Sequence, residues 1–209
     1  MLLSLTPKIL LCSRWRPCWP RQGQKVVRLS NSGTFPISHP STRLCLELMV
    51  AACQEQQPAS LLDLGCGSGV LALAGALLGI PLILGCDISG RALRTSRRNA
   101  QRNRLTTGVC WLHGSTEALK PGFHLIVVNL PFVVQMEKQE ELLRLADFRG
   151  GLILSGFRDS QEGLVADFYF EQGWRLSQRL TRDRWEPEPP VELSYTWVGL
   201  YLVADDAGR

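Results

Sequence analysis

The sequence predicts an α/β fold in which helices cover both faces of a mostly parallel sheet. Strand-like and helix-like segments alternate from residue 60 onward, and the strand-like runs are almost continuously apolar. Such runs are typical of parallel strands that are buried on both faces. The last two strand-like runs have no helix between them, so we expect them to pair antiparallel at one edge of the sheet.

The segments before this alternation are less regular. Residues 1–36 contain Trp and Pro side chains that break helices, so we expect an irregular extension, although residues 24–29 have the composition of a strand. A helix is predicted over residues 41–54, where apolar side chains recur at helical spacing after a Pro-Ser-Thr start signal.

Five predicted strands and four predicted helices then follow in series. Predicted strands occupy residues 60–64, 82–86, 109–112, 123–128 and 152–154. Predicted helices occupy residues 70–78, 91–103, 138–146 and 161–172, and Gly79 and Pro81 stop the first of them. Residues 174–180 and 195–203 form the final strands, joined by the Pro-rich loop 186–190.

Length and composition fit one domain with an extension. The 209 residues are 45% hydrophobic and 20% charged, which excludes wholesale disorder. No apolar run reaches the roughly 18 residues that a membrane-spanning helix needs. Seven cysteines without a C-x-x-C pair argue against a disulfide scaffold and a zinc ribbon, so we predict no metal and a reducing, cytoplasmic compartment. The Arg-rich, acid-free start also fits an organellar transit peptide, and that alternative stays open.

The charge is distributed unevenly. Residues 1–46 carry seven basic side chains and no acid, and residues 88–104 carry six arginines and no acid. These segments hold thirteen positive charges in a chain of net charge +4, so the remaining residues carry a net charge of −9. Four arginines share one face of the predicted helix, which suits either RNA phosphates or a solvated surface: Arg91, Arg94, Arg98 and Arg102.

A glycine-rich turn follows the first predicted strand of the alternation. The segment Asp63-Leu64-Gly65-Cys66-Gly67-Ser68-Gly69 lies between a strand and a helix. Its glycines allow a sharp turn and a close approach of a ligand to the backbone, and a helix N-terminus attracts anionic groups. The spacing does not match the dinucleotide fingerprint G-x-G-x-x-G. A carboxylate two residues before the first glycine can orient the loop or hold an ammonium group.

An acidic residue ends the next strand. Asp87 lies 22 residues after Gly65, where a carboxylate can accept hydrogen bonds from both hydroxyls of a ribose. A helix N-cap is the structural alternative, because a helix is predicted to begin directly afterwards.

A third polar signal follows the apolar strand 123–128. Asn129-Leu130-Pro131-Phe132 lies where open α/β sheets bind ligands, outside the carboxyl ends of their strands. The Asn129 oxygen can accept from an amine and so orient its lone pair, Pro131 stiffens the turn, and Phe132 offers a face to a planar or cationic group. An ordinary strand-ending turn is the alternative.

Together these three segments resemble those of class I S-adenosylmethionine-dependent methyltransferases. The segment SHPSTRLCLE at residues 38–47 is similar to the T-H-P-T-T-R-L-C-L-E segment of PrmA-type ribosomal protein methyltransferases, and LILSG at 152–156 is similar to a late strand of that family. The resemblance covers about residues 37–203 and omits the family's N-terminal substrate domain. It implies a Rossmann-like, seven-stranded sheet with an antiparallel last strand, and a methyltransferase domain over residues 37–209.

The resemblance also implies roles for individual residues. The glycine-rich turn would hold the methionine part of S-adenosylmethionine, Asp87 and Ile88 would bind its ribose side, Ser115 would lie by the adenine, and Thr42 would border the cofactor. Catalytic roles beside the transferred methyl group would fall to Asn129, Pro131 and Phe132. The full cofactor-binding set is Asp63, Gly65, Gly67, Gly69, Asp87, Ile88, Ser115 and Thr42.

Two departures bear on the substrate. Phe35-Pro36-Ile37 stands where the PrmA-type family has Gly-Thr-Gly. Asn129–Phe132 is more similar to the N-L-P-[YF] segment of rRNA adenine dimethylases, and to the N-P-P-[YF] segment of release-factor glutamine methyltransferases, than to the corresponding segment of the PrmA-type family. We expect transfer of a methyl group to an amino or amide nitrogen of a protein, such as a ribosomal protein. The alternatives are methylation of an adenine or guanine base in RNA, and a cofactor-binding pseudoenzyme that serves as an interaction module.

Overall fold

The computed structural model of the chain describes residues 2–30, 38–184 and 195–205. Its strands are β1 (Leu2–Thr6), β2 (Ile9–Ser13), β3 (Lys25–Leu29), β4 (Ser60–Leu64), β5 (Leu82–Asp87), β6 (Val109–His113), β7 (Phe123–Asn129), β8 (Ala146–Arg158), β9 (Trp174–Arg184) and β10 (Tyr195–Ala204). Its α-helices are α1 (Pro40–Glu55), α2 (Val70–Leu77), α3 (Gly90–Arg102), α4 (Phe132–Leu145) and α5 (Glu162–Glu171).

Seven strands form the main sheet in the order β6-β5-β4-β7-β8-β10-β9. Neighbours from β6 to β8 pair in parallel, whereas β10 pairs antiparallel with both β8 and β9. The last strand is therefore inserted antiparallel, and the predicted Rossmann-like α/β fold is confirmed. The predicted loop 186–190 lies outside the described residues.

Alternate side chains of the central strands enter two apolar clusters on opposite faces of the sheet. On β4, Leu61 joins the first cluster, which is built with α1, α2 and α3, and Leu62 joins the second cluster, which is built with α4 and α5. On β8, Ile153 joins the first cluster and Leu152 joins the second. Burial of both faces explains why these strands read as continuous apolar runs.

The expectation of an irregular segment over residues 1–36 is wrong, because β1, β2 and β3 form a three-stranded sheet there. β1 pairs antiparallel with β2, and β2 pairs in parallel with β3. The strands are short, but Leu11, Val27 and Leu29 are fully buried in the first cluster, and this burial stabilises pairing that local pattern alone does not show. Trp15, Pro17, Trp19 and Pro20 lie in the β2–β3 connection. The domain boundary at residue 37 stays a prediction.

Most other predicted elements lie within two residues of their expected bounds. Helix α4 begins six residues earlier than predicted, directly after Pro131, whose carbonyl accepts from the Gln135 N–H at 3.1 Å. Strand β8 is much longer than the predicted 152–154. Within the described residues, no helix combines the length and apolarity that crossing a membrane requires.

Candidate active site

A cavity of about 380 Å³ opens at the carboxyl edge of the main sheet. Because β4, β5, β7 and β8 run in parallel, their carboxyl ends deliver residues to this one edge. The residues that line it are Gly65, Gly67, Asp87, Ser89, Ala92, Asn129, Leu130, Pro131, Gly156 and Trp197. Asp87 and Asn129, from two of the three segments that the sequence analysis identifies, thus contribute polar side chains to a single cavity.

The glycine-rich turn crosses from β4 to α2 over this cavity. The φ angles of Gly65, Gly67 and Gly69 are 72°, 54° and 76°, which side chains other than glycine rarely adopt. A Cβ on Gly65 would lie 2.3 Å from the Leu130 Cδ2, and one on Gly69 would lie 2.7 Å from the Trp111 ring. The turn therefore needs glycine both for its backbone conformation and for close packing.

Asp63 is buried beneath this turn, with 1% of its surface exposed. Its Oδ2 accepts from the Ala72 N–H at 2.9 Å, so the carboxylate holds the first turn of α2. Burial, with a smaller contribution from the Asp87 charge, raises the pKa of Asp63 to about 7 against the opposing hydrogen bond from the Ala72 N–H. Asp63 lines a smaller cavity of about 30 Å³ that shares Gly65, Gly67 and Asn129 with the main one.

Asp87 lies on the main cavity with both carboxylate oxygens anchored. Oδ2 accepts from the Gly67 N–H at 2.9 Å, and Oδ1 accepts from the Ser89 N–H at 2.8 Å. The N-cap of α3 is Ser89, whose hydroxyl accepts from the Ala92 N–H at 3.3 Å. The N-cap alternative for Asp87 is therefore wrong. Asp87 instead fixes the glycine-rich turn against β5 and presents a carboxylate to the cavity.

Asn129 enters both cavities from the end of β7. Its Nδ2 donates to the Thr42 Oγ1 at 3.2 Å, and Thr42 is buried in the first turn of α1. This bond uses one of the two N–H groups of the amide and fixes its orientation, and the Oδ1 is the atom that can accept from a ligand. No donor within the described residues is bonded to that oxygen.

The segment after Asn129 is held by α4 and β8. The buried Gln135 Nε2 donates to the carbonyls of Leu130 at 2.6 Å and Ser155 at 2.7 Å. Gly156 has a φ of 103°, and a Cβ there would lie 2.3 Å from the Leu130 carbonyl oxygen. Pro131 lines the cavity, and its position is set by these contacts.

Six predicted site residues lie outside the lining of the main cavity. Asp63 and Thr42 line the smaller cavity, and Gly69, Ile88, Ser115 and Phe132 line neither. Phe132 packs against the second apolar cluster, together with Leu130 and Met136. Ile88 is 78% exposed beside Asp87, and Ser115 precedes a short 3-10 turn after β6. Among the described residues, no three His, Cys, Asp or Glu side chains gather as metal ligands would.

Trp197 and Gly156 line the cavity but were not predicted. Trp197 lies on β10 and meets the His39 ring edge-on, with centroids 4.5 Å apart. His39 also accepts from the Ser41 N–H at the start of α1. The apolar pattern of β10 predicts the strand, but its register against β8 decides which side chain reaches the cavity, and that register has no local signal.

Comparisons with known proteins identify the family of the chain. The family model described as ribosomal protein L11 methyltransferase (PrmA) matches residues 3–187. The chain belongs to this family. The match begins within β1, so the N-terminal sheet is part of what the chain shares with the PrmA family.

Curated relatives carry the same family name. The ribosomal protein L11 methyltransferase of Citrifermentans bemidjiense is 32% identical over 170 residues, covering 76% of this chain and 53% of that protein. The protein of that name from Azotobacter vinelandii is 36% identical over 148 residues, covering 71% and 50%. The chain thus spans about half the length of the curated PrmA-family relatives it matches.

Solved structures share the fold. A ribosomal protein L11 methylase from Lactobacillus delbrueckii subsp. bulgaricus superposes with a TM-score of 0.80 at 22% identity, covering 98% of both chains. M. jannaschii TYW2 in complex with AdoMet gives a TM-score of 0.53 at 13% identity, covering 69% of this chain and 68% of that one. These likenesses support the architecture of the PrmA-family sheet.

Proposed function

We propose that this chain is an S-adenosylmethionine-dependent N-methyltransferase that methylates an amino or amide nitrogen of a protein. The observation that carries the proposal is the shared cavity, onto which Asp87 and Asn129 project from two parallel strands beside a glycine-rich turn. Its volume of about 380 Å³ lies within the range of roughly 300–1,000 Å³ that is usual for small-molecule sites. Family membership supports the same reaction.

The residues present fit S-adenosylmethionine. Asp87 would accept from the ribose hydroxyls, since its carboxylate already faces the cavity while it anchors Gly67. Asp63 and the backbone of the glycine-rich turn would hold the methionine part, and the positive ammonium would favour the ionised form of Asp63. Ile88 and Ser115 are proposed to flank the nucleoside from the same sheet edge. When bound, the cofactor supplies a sulfonium-activated methyl group.

Asn129 would position the acceptor nitrogen. The bond from its Nδ2 to Thr42 orients the amide, and its Oδ1 would accept an N–H of the acceptor and direct the lone pair toward the methyl group. Transfer of an already activated methyl group needs alignment more than acid–base assistance, because orientation alone lowers a barrier substantially. An amine acceptor must reach the site neutral, and Pro131 and Trp197 provide apolar walls that disfavour the ammonium form.

The family name directs the choice of substrate. We propose ribosomal protein L11 as the first acceptor to test, because the matched relatives are named for it. The shared region is about half of each relative, so the proposal concerns the catalytic site and leaves the recognition of L11 to be measured.

Methylation of an RNA base is the competing function, suggested by the Asn129–Phe132 segment. Phe132, the ring that the sequence offers for stacking on a flipped base, packs against the second apolar cluster instead. The family match favours a protein acceptor over a base. A pseudoenzyme is disfavoured because Asp87 and Asn129 both face the same cavity.

The test is transfer of a radiolabelled methyl group from S-adenosylmethionine to a ribosomal extract and to purified L11. We expect label in protein that survives nuclease and disappears with protease. Label only in the RNA fraction would contradict the protein acceptor, and a folded protein that binds the cofactor but transfers no methyl group to either fraction would support the pseudoenzyme.

Asn129→Ala separates binding from transfer. The variant should bind S-adenosylmethionine with unchanged affinity in calorimetry and should lose at least about 100-fold in methyl transfer, since orientation is lost. The matched control is Asn103→Ala at the end of α3, which removes an amide far from the cavity lining and should leave transfer near wild type.

A further inference from the structure

The β2–β3 connection presents two tryptophans to solvent. Trp15 is 79% exposed and Trp19 is 85% exposed, although tryptophan normally buries most of its large surface. The Arg14 guanidinium stacks on the Trp15 ring, 4.5 Å from its centroid. Neither ring is needed for the apolar clusters, so their exposure needs another explanation.

This connection is fixed to β3 by an arginine. The Arg28 Nη1 donates to the Arg16 carbonyl at 3.2 Å, and its Nη2 donates to the Cys18 Sγ at 3.2 Å. The Arg14 N–H also donates to the Leu29 carbonyl at 2.7 Å. The tryptophans therefore project from a tethered loop whose own side chains are basic.

Strand β3 is in turn bonded to helix α3. Asn103 Oδ1 accepts from the Arg28 N–H at 2.9 Å, and its Nδ2 donates to the Arg28 carbonyl at 2.8 Å. Asn99 makes the equivalent pair of bonds with Ser30. These contacts bring together the two basic segments of the sequence through residues that lie 69 and 75 positions apart.

The joined surface is strongly cationic. On α3 and just after it, six arginines are exposed: Arg91, Arg94, Arg97, Arg98, Arg102 and Arg104. The ion pairs among the described residues lie elsewhere. They involve none of these arginines and none of the arginines in the β2–β3 connection. The surface runs from the rim of the cavity, where Ser89 and Ala92 begin α3, to Trp15 and Trp19.

We propose that this Trp–Arg surface binds single-stranded RNA. A row of arginines matches a chain of phosphates, and exposed tryptophans stack on unpaired bases, which is how proteins bind single strands without reading their sequence. The net charge of −9 on the rest of the chain directs a polyanion to this face. The proposal concerns binding and is independent of which nitrogen is methylated.

Two other ligands would share only part of this chemistry. An acidic polypeptide would satisfy the arginines but would not need the tryptophan rings. An anionic membrane would use both, but the arginines extend along α3 as a track away from the tryptophans, which suits an elongated partner. Single-stranded RNA uses the whole surface.

The experiment measures fluorescence anisotropy of a fluorescein-labelled, 20-nucleotide, unstructured RNA with the full chain over a series of salt concentrations. Replacing two phosphate-contacting arginines, Arg98→Ala and Arg102→Ala together, should weaken binding and reduce the salt slope by about 1.4, because each contact on a single strand contributes about 0.7. The matched control replaces two exposed basic residues elsewhere, Lys120 and Arg149, and should leave that slope unchanged.

The tryptophans are tested separately. Trp15→Ala with Trp19→Ala should weaken binding at least about 25-fold with an unchanged salt slope, since loss of each stacked base costs about fivefold or more. The control is Phe148→Ala, which removes an exposed ring that also carries a stacked arginine. All of these side chains are exposed, and circular dichroism with a thermal melt verifies that each variant is folded.

Three results would overturn the proposal. The first is equal affinity for the RNA and for a duplex of the same length, with no effect of the tryptophan variant. The second is complete displacement of the RNA by polyglutamate at matched charge. The third is binding of phosphatidylserine vesicles without binding of the RNA. The first two would indicate charge alone, and the third would assign the surface to a membrane.

Discussion

Asn99 links the N-terminal sheet to the glycine-rich turn, and its replacement by alanine tests that link. The side chain is fully buried on α3. Its Nδ2 donates to the Ser30 carbonyl at 2.8 Å and to the Ser68 carbonyl at 2.9 Å, and its Oδ1 accepts from the Ser30 N–H at 3.0 Å. A single amide therefore holds β3 and the cofactor-side turn in register.

The expected loss follows from these three bonds. A buried hydrogen bond contributes about 1 kcal/mol on average, so Asn99→Ala should lower the free energy of unfolding by ~3 kcal/mol. With a urea dependence of about 2 kcal/mol per molar, the unfolding midpoint should fall by about 1.5 M. Because the Ser68 carbonyl loses its anchor, S-adenosylmethionine should also bind about tenfold more weakly.

Asn103→Ala is the matched control one turn later. It also loses an amide that pairs with β3, but Asn103 is half-buried and bonds nothing in the glycine-rich turn. We expect a loss of ~1 kcal/mol, because water replaces part of its bonding, and an unchanged cofactor affinity. Urea unfolding followed by circular dichroism and calorimetry with S-adenosylmethionine provide the measurements. Equal loss of cofactor affinity in both variants would refute the reasoning.

Three further predictions concern the cavity. Thr42→Val removes the acceptor of the Asn129 Nδ2 and should lower kcat about tenfold with unchanged cofactor affinity, whereas Thr42→Ser should restore kcat. The pKa of Asp63 is raised to about 7, so the contribution of this carboxyl to stability is complete below about pH 4 and is lost as the pH rises to 7. Asp63→Asn should remove this pH dependence of the free energy of unfolding, measured by urea unfolding between pH 5 and 8. Gly156→Ala would force the Leu130 carbonyl away and should lower the free energy of unfolding by about 2 kcal/mol in a thermal melt, with a larger loss in kcat than in cofactor affinity.

The sequence was most informative where structure is set locally. The apolar run and glycines at residues 60–69 define a strand, a turn and a helix by short-range signals, and those elements are confirmed. The meeting of Asp87 and Asn129 was also predictable, because carboxyl ends of parallel strands share one edge.

Long-range packing decided the features that were missed. The N-terminal strands depend on burial of Leu11 and Val27 against the first cluster. The sequence of residues 1–36 contains no local signal that predicts packing against that cluster. Trp197 reaches the cavity through the register of β10 against β8. Phe132 was expected in the pocket, but α4 begins at that residue and turns its ring toward the second cluster.

The most direct test of the proposed site is a calorimetric titration of S-adenosylmethionine into the wild-type chain and Asp87→Ala. A carboxylate that accepts from two ribose hydroxyls contributes about 1.5–3 kcal/mol for each bond, so we predict stoichiometric binding to the wild type and an affinity at least about 100-fold lower in the variant. Equal affinity of the two proteins, with the variant folded, would contradict the assignment of this cavity to the cofactor.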